Sequence, residues 1–228
     1  MSGTFYCVGI GPGDPKLMTY LAVETIQKCE VIALPNSGAK ENAAQSIAER
    51  WIREKPVLYC DMPMSRDKEK LRQAHETAAE KIAEHLKQGE NVAFLTLGDP
   101  SIYSTAMYLH RCLKERGYQT KIIPGVPSFC AAAAVLDISL CERNEMLHII
   151  PASYPDVSSA LSYSGTKVLM KSGKAIAEIK TKMDKLRADA MAVECCGMEN
   201  EKIYPSLDAL QENASYFTIV LVKEKKDD

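Results

Sequence analysis

The sequence predicts an α/β protein of two lobes, each a β-sheet with helices on both faces. Three observations carry this. Short apolar runs alternate with helix-period segments along the 228 residues. The connections between them are short, which favours parallel strands joined by crossover helices. The composition, 46% hydrophobic and 25% charged, is that of an ordinary soluble chain with enough length to bury a core.

In the first half, strands are expected at 4–10, 30–34, 56–60, 91–97 and 120–123. A helix over 15–28 follows Asp14, which can cap its free amides, and Pro15 suits a first turn. The segment 67–88 sets Leu71, Ala74, Ala78, Ile82 and Leu86 on one stripe and stops at Gly89. The segment 101–116 stops in the same way at Gly117. The second half continues with a helix at 127–136, strands at 146–150, 167–171, 189–195 and 216–223, and helices at 172–187 and 206–213. The lobe boundary falls after the Pro-Gly-Val turn, giving lobes 1–125 and 126–228. The charged end, 223–228, reads as a solvated tail.

Charge narrows the function. Twenty-eight Lys and Arg against 30 Asp and Glu leave a net charge of −2, so nucleic acid is not an expected partner. No apolar run approaches the ~20 residues that span a bilayer, and no basic-then-apolar leader opens the chain. A cytoplasmic protein with no membrane partner is expected. The eight cysteines (Cys7, Cys29, Cys60, Cys112, Cys130, Cys141, Cys195, Cys196) lack C-x-x-C spacing and read as reduced core residues. The four histidines form no H-E-x-x-H pattern, and no metal site is expected.

Ligands of open α/β sheets bind beyond the carboxyl ends of the strands. Three unusual segments stand there: Gly9-Ile10-Gly11-Pro12-Gly13-Asp14, Leu97-Gly98-Asp99-Pro100-Ser101-Ile102-Tyr103-Ser104, and Pro124-Gly125-Val126-Pro127-Ser128-Phe129. The first is not a dinucleotide fingerprint. Asp14 stands where a third glycine is needed and would face a pyrophosphate, and strand two ends in Ala33-Leu34-Pro35 instead of an acid. Ser172-Gly173-Lys174-Ala175 is not a P-loop either, with Ala175 in the magnesium-binding position and Val168 for the first glycine. Each glycine segment alone is as readily a capped turn. Three on one rim make a glycine-lined cleft.

Taken in order, V-G-I-G-P-G-D (8–14), L-G-D-P-S-I-Y-S (97–104), P-G-V-P-S-F (124–129) and the strand Val168-Leu169-Met170-Lys171 resemble the tetrapyrrole methylases. The resemblance runs over nearly the whole chain. It implies two lobes, the N-terminal sheet mostly parallel and the C-terminal one mixed, with S-adenosyl-L-methionine folded in a cleft between them and S-adenosyl-L-homocysteine as product. It also implies a homodimer. Residues 98–109 and 124–134 look most like members that methylate carbon 20 of precorrin-2 or cobalt-precorrin-2 in cobalamin synthesis. By position, the cofactor is expected at Pro12, Gly98, Asp99, Ile102, Tyr103, Ser128, Phe129 and Met170.

Methyl transfer from a sulfonium chiefly requires alignment and exclusion of water. A proton must then leave, and Asp99 or water held by it is the expected acceptor. The alternative is that Asp99 only binds cofactor or caps a helix. A substrate with eight carboxylates asks for cations, and Arg50, Arg53 and Lys55 or Arg66, Lys68, Lys70 and Arg72 could supply them, unless they are simply solvated faces. Two alternatives stay open: a methylase of another tetrapyrrole carbon, and a non-catalytic nucleotide-binding module.

Overall fold

Alternation of side chains about two faces, both apolar, builds the first sheet. In β1 (Thr4–Gly9), Phe5 and Cys7 enter one core while Tyr6 and Val8 enter another. The same split occurs in β2 (Val31–Asn36) and β4 (Val92–Thr96), where nearly every residue is buried. Strands buried on both faces belong to a parallel sheet covered by helices. With β3 (Val57–Asp61) and β5 (Gln119–Ile123) at the edges, the order is β3-β2-β4-β1-β5, all pairs parallel.

The computed structural model describes residues 1–36, 42–63, 65, 67–152, 157–173, 175–183 and 188–224. Within it the chain divides into two compact units, Met1–Pro127 and Ser128–Asp228. Among the described residues no helix is long and apolar enough to cross a membrane.

Four helices clothe the first sheet. Helices α1 (Tyr20–Lys28) and α2 (Ala43–Ile52) pack Ala22, Ile26, Ile47 and Ile52 on the Tyr6–Val8 face. Helices α3 (Lys68–Lys87) and α4 (Ala106–Glu115) pack Ile82, Leu86, Leu109 and Leu113 on the Phe5–Cys7 face. Asp67 caps α3, its Oδ1 accepting from the amides of Glu69 and Lys70.

In this unit two expected helices are shorter. The helix over 15–28 is a single 3₁₀ turn, Pro15–Leu17, capped by Asp14, and then α1, capped by Thr19. Met18 lies between them in extended backbone (φ −69°, ψ 134°), which no helix accommodates. The helix over 101–116 begins only at Ala106, because Tyr103 sits in the left-handed region (φ 48°).

In the second unit, β6 (Leu147–Pro151) pairs parallel with β7 (Thr166–Met170). Strand β10 (Thr218–Glu224) runs antiparallel between β7 and β8 (Ala188–Glu194), and the short β9 (Lys202–Tyr204) extends the far edge. The sheet is therefore mixed, ordered β6-β7-β10-β8-β9. Helix α5 (Ser128–Val135) packs on β10 and buries Ala131, Ala132 and Ala133. Helices α6 (Val157–Ala160) and α7 (Ile176–Met183) join a core with Leu169, Ala192, Val220 and Val222. The helix expected at 172–187 spans only α7 among the described residues. That at 206–213 is one 3₁₀ turn, Leu207–Ala209, which suffices to bury Leu207 and Leu210 three residues apart.

Candidate functional site

The site follows from the sheet order. Strands β1 and β4 are neighbours, yet α1 after β1 and α4 after β4 cover opposite faces. The loops leaving these strands therefore diverge and open a crevice at the carboxyl edge, the switch point where doubly wound sheets bind ligands.

Two of the three glycine segments meet at that crevice. The amide of Gly98 donates to the Gly11 carbonyl at 2.8 Å and the Gly11 amide returns a bond to the Gly98 carbonyl at 3.3 Å. Both glycines have left-handed backbone, φ 77° at Gly11 and 68° at Gly98, which a side chain would strain. The third segment closes from β5. A Cβ on Gly125 would lie 2.2 Å from the Gly98 oxygen, and one on Gly9 would lie 2.7 Å from both the Gly98 oxygen and the Gly125 nitrogen. Only glycine allows three backbones to come this close. Thr19 secures the junction: its Oγ1 donates to the Pro124 carbonyl at 3.2 Å while accepting from the Ala22 amide at 3.1 Å.

Asp99 is the charged group of the junction. Its Oδ2 accepts from the Gly125 amide at 2.9 Å; its Oδ1 accepts from the Ser101 amide at 2.8 Å and from the Ser101 hydroxyl. Partial burial pushes this carboxyl up, but the Ser101 hydroxyl and the Gly125 and Ser101 amides together hold it below its ordinary value. Three donors occupy a group with room for about four, so one acceptor position remains.

The neighbouring candidates lie as follows. Pro12 is buried between Gly11 and Gly13. Ile102 is half-buried, its amide bonded to the Asp99 carbonyl at 3.2 Å. Tyr103 is 45% exposed despite its left-handed backbone, a combination that concentrates at functional sites. Ser104 ties the loop to the sheet, its Oγ lying 2.8 Å from Thr96 Oγ1 and accepting from the Ala106 amide.

In the second unit, Ser128 opens α5, Phe129 is buried, and Met170 ends β7 with its carbonyl accepting from the Ala152 amide at 2.7 Å. Strands β7 and β8 both run antiparallel to β10, so they end on one edge. There Lys171 (φ 59°) and Cys195 (φ 53°) are also left-handed.

The first unit thus brings together the loop of Pro12, Gly98, Asp99 and Gly125. Sequence reading missed the partners: Ser101, Thr19, and the Gly9–Gly125 approach. A serine two residues after an aspartate and a threonine three before a helical alanine were the available signals, as these spacings make local side-chain to backbone bonds.

Three of the six described cations of the expected basic rim are engaged elsewhere. Arg72 pairs with Glu69 (2.7 Å) and Glu76 (2.6 Å), and Arg53 with Glu49 (3.3 Å). Lys55 Nζ donates to the carbonyls of Gln27 and Cys29 at the end of α1, and Arg50 lies over the Trp51 ring. Lys68 and Lys70 are exposed in the first turn of α3, and Arg66 lies outside the described residues. Among the described residues, no three His, Cys, Asp or Glu side chains are grouped to hold a metal.

A doubly wound parallel sheet with its switch point filled by converging glycine bends defines a ligand-binding α/β domain, and a mixed second sheet is appended to it. Residues 4–211 match the sequence model of the Tetrapyrrole (Corrin/Porphyrin) Methylases. The chain belongs to that family.

Among its relatives is a Methanocaldococcus jannaschii protein described as a "Probable cobalt-precorrin-2 C(20)-methyltransferase". It is 34% identical over 97% of this chain and 96% of its own length. A Salmonella typhimurium cobalt-precorrin-2 C(20)-methyltransferase is also 34% identical, over 90% of this chain and 86% of its own. Among solved structures, a cobalt precorrin-4 methyltransferase superposes with a TM-score of 0.74 at 19% identity, covering 97% of this chain and 94% of the other. A Thermus thermophilus uroporphyrin-III C-methyltransferase complexed with S-adenosylhomocysteine gives 0.72 at 18%, covering 97% and 98%. These structures share the fold.

Proposed function

We propose that the chain is an S-adenosyl-L-methionine-dependent methyltransferase that methylates carbon 20 of precorrin-2 or cobalt-precorrin-2 in cobalamin biosynthesis. Relatives so named, matched over nearly their whole length, support the substrate. The observation that carries the reading is the meeting of the glycine bends around Asp99 at the β1/β4 switch point.

The junction fits such a cofactor. Bare backbone on three sides admits a close ligand, and the ionised Asp99, with one acceptor position left, suits a cationic amino-acid group. Pro12, Gly98, Asp99, Ile102 and Tyr103 would hold the cofactor from the first unit, and Ser128, Phe129 and Met170 from the second. When bound, S-adenosyl-L-methionine supplies an activated methyl group. The protein's task is alignment and exclusion of water.

Asp99 is better suited to holding than to deprotonation. A carboxylate held below its ordinary value takes up a proton poorly, so the proton leaving carbon 20 is assigned to water and not to Asp99. The homodimer implied by the family resemblance and the cytoplasmic location expected from the sequence are part of the proposal, and sedimentation at twice the monomer mass is the expected outcome.

The deciding experiment supplies ¹³C-methyl-labelled S-adenosyl-L-methionine with precorrin-2 or its cobalt form. The expected product is one methylene heavier, with the label on carbon 20. Label on another carbon would reassign the position within the family, and binding without transfer would leave only a nucleotide-binding module.

A further inference from the structure

Outside the glycine junction, one aromatic and cationic cluster on the first unit has no part in the function proposed above. Arg111 on α4 places its guanidinium carbon 4.9 Å from the ring centroid of Tyr108. Tyr108 stacks in turn on His75 of α3, the centroids 4.6 Å apart and the planes 11° from parallel. Tyr108 lies in the first turn of α4, directly after the loop of Asp99 and Tyr103, and is 50% exposed. Helices α3 and α4 both start from the carboxyl edge of the sheet, the edge that carries the junction.

Two other arginines differ from Arg111. Arg72 and Arg53 are matched by glutamates on their own helices. Arg111 is exposed and, among the described residues, makes no ion pair. A guanidinium laid on a ring is oriented while its N–H fork stays available, the arrangement that suits bidentate recognition of a carboxylate.

Two histidines sense the resulting field. His75 is lowered by partial burial and then by Arg111; His110 is lowered by partial burial and then by Lys114 and Arg111. Arg111 and Lys114 are the cations acting on them, in a chain whose net charge is −2. The Nδ1 of His110 is also buried and, among the described residues, has no hydrogen-bond partner.

We propose that Arg111, presented on the Tyr108–His75 stack, binds a peripheral carboxylate of the tetrapyrrole and so helps set substrate specificity. This rests on the function proposed above. A flat macrocycle ringed with carboxylates matches the two features of the patch, an aromatic shelf and an unmatched guanidinium.

The test compares wild type with Arg111→Gln, Arg111→Lys and, as a surface control, Lys202→Gln, an exposed cation of the second unit. Arg111→Gln is expected to raise the KM for the tetrapyrrole at least about tenfold, with the cofactor KM and the melting temperature unmoved. Arg111→Lys should fall between, because it keeps charge but loses the fork. Lys202→Gln should match wild type.

Equilibrium binding of uroporphyrin III, an octacarboxylate followed by fluorescence quenching without cofactor, reads the subsite independently of catalysis. It should weaken about tenfold in Arg111→Gln and lose part of its salt dependence. If wild type transfers methyl and Arg111→Gln keeps the tetrapyrrole KM and the porphyrin affinity within twofold, the subsite is overturned and the function stands. Should wild type bind the porphyrin, weakened by Arg111→Gln, yet methylate no tetrapyrrole, the function falls and the carboxylate subsite survives. Failure of wild type to bind any tetrapyrrole overturns both.

Discussion

Replacing Gly125 by alanine puts the junction to its most direct test. The new Cβ would stand 2.2 Å from the Gly98 carbonyl oxygen, 2.8 Å from the Gly9 carbonyl carbon and 2.9 Å from its Cα. Comfortable contact between non-bonded heavy atoms needs about 3.5 Å. All three obstacles are backbone. Gly98 is bonded to Gly11, and the chain beside Gly9 is bonded to β4 through the Ile10 amide and the Thr96 carbonyl at 3.0 Å. No side chain can swing aside, so the junction itself must open, by roughly 1 Å.

Overpacking of this kind costs about 1–3 kcal/mol. Opening also loses the Gly125 to Asp99 bond, worth about 1 kcal/mol after discounting for solvent at a partly exposed carboxylate. The sum, about 3 kcal/mol, can be set against Gly117→Ala. Gly117 has φ 85° and, among the described residues, nothing within 4 Å of an added Cβ, so its substitution costs only the left-handed penalty of about 1–2 kcal/mol.

Trp51, the chain's single tryptophan, packs against a core of the first unit and reports its unfolding by fluorescence in urea. Calorimetric titration with S-adenosylhomocysteine reads the site. Gly125→Ala should lose more stability than Gly117→Ala and bind at least about tenfold more weakly (~1.4 kcal/mol), while Gly117→Ala binds like wild type. Equal stability losses, or unchanged binding in Gly125→Ala, would refute the packed junction.

Asp99→Asn should weaken cofactor binding or slow transfer by more than about tenfold; wild-type kinetics would remove Asp99 from the site. Because Asp99 is held below its ordinary value, its contribution is complete above the unfolded carboxylate pKa and is lost as pH falls through the lower folded value. Acid unfolding of Asp99→Asn should accordingly depend less on pH in that range. Thiol titration of the native protein at pH 8 should find Cys141 fast, Cys130 slower and Cys7, Cys29, Cys60 and Cys196 inert. Cys141 and Cys130 are exposed, but partial burial raises the Cys130 thiol, and burial pushes the other four up to about 12; rapid reaction of more than three thiols would contradict the packing. In the second unit, Lys167 is buried and its Nζ lies 3.1 Å from Glu224, which is half-exposed. Lys167→Met should therefore cost less than Glu224→Ala, which strands the ammonium, and urea midpoints showing the reverse order would contradict this.

Much of this architecture is legible in the amino-acid order, and the parts that are not have physical reasons. Strands β1, β2 and β4 declare themselves because burial on both faces demands unbroken apolar runs. The helix at 67–88 shows through its stripe and Asp67 cap. Helix α2 was missed although Asn42, with Ala44, Ile47, Ala48 and Ile52 behind it, carries both a cap and a buried face. Strand β9 has three mostly exposed residues and no pattern to read. The early start expected for α4 failed because the left-handed turn at Tyr103 is imposed by the loop's surroundings, not by tyrosine's own preference. Part of the basic rim is paired on its own helix, and Glu69-x-x-Arg72-x-x-x-Glu76 already has the spacing of a helical ion-pair ladder.

The site divides along the same line. Glycine positions can be read from a sequence, but which backbones a glycine admits depends on sheet order. Strand order β3-β2-β4-β1-β5 makes β1 and β4 neighbours and places β5 beside β1, so loops distant in sequence become adjacent. The approach of Gly125 to Gly9 and Gly98 then follows, and with it the amide that fixes Asp99. One consequence separates holding from proton transfer. If Asp99 only holds, substitutions of Ser101 that remove its hydroxyl donor should raise the Asp99 pKa and weaken cofactor binding without improving turnover. A base freed from that donor would instead gain proton affinity and turn over faster at neutral pH. The pH–rate profile of Ser101→Ala distinguishes the two, and an accelerated rate would return Asp99 to the chemical step.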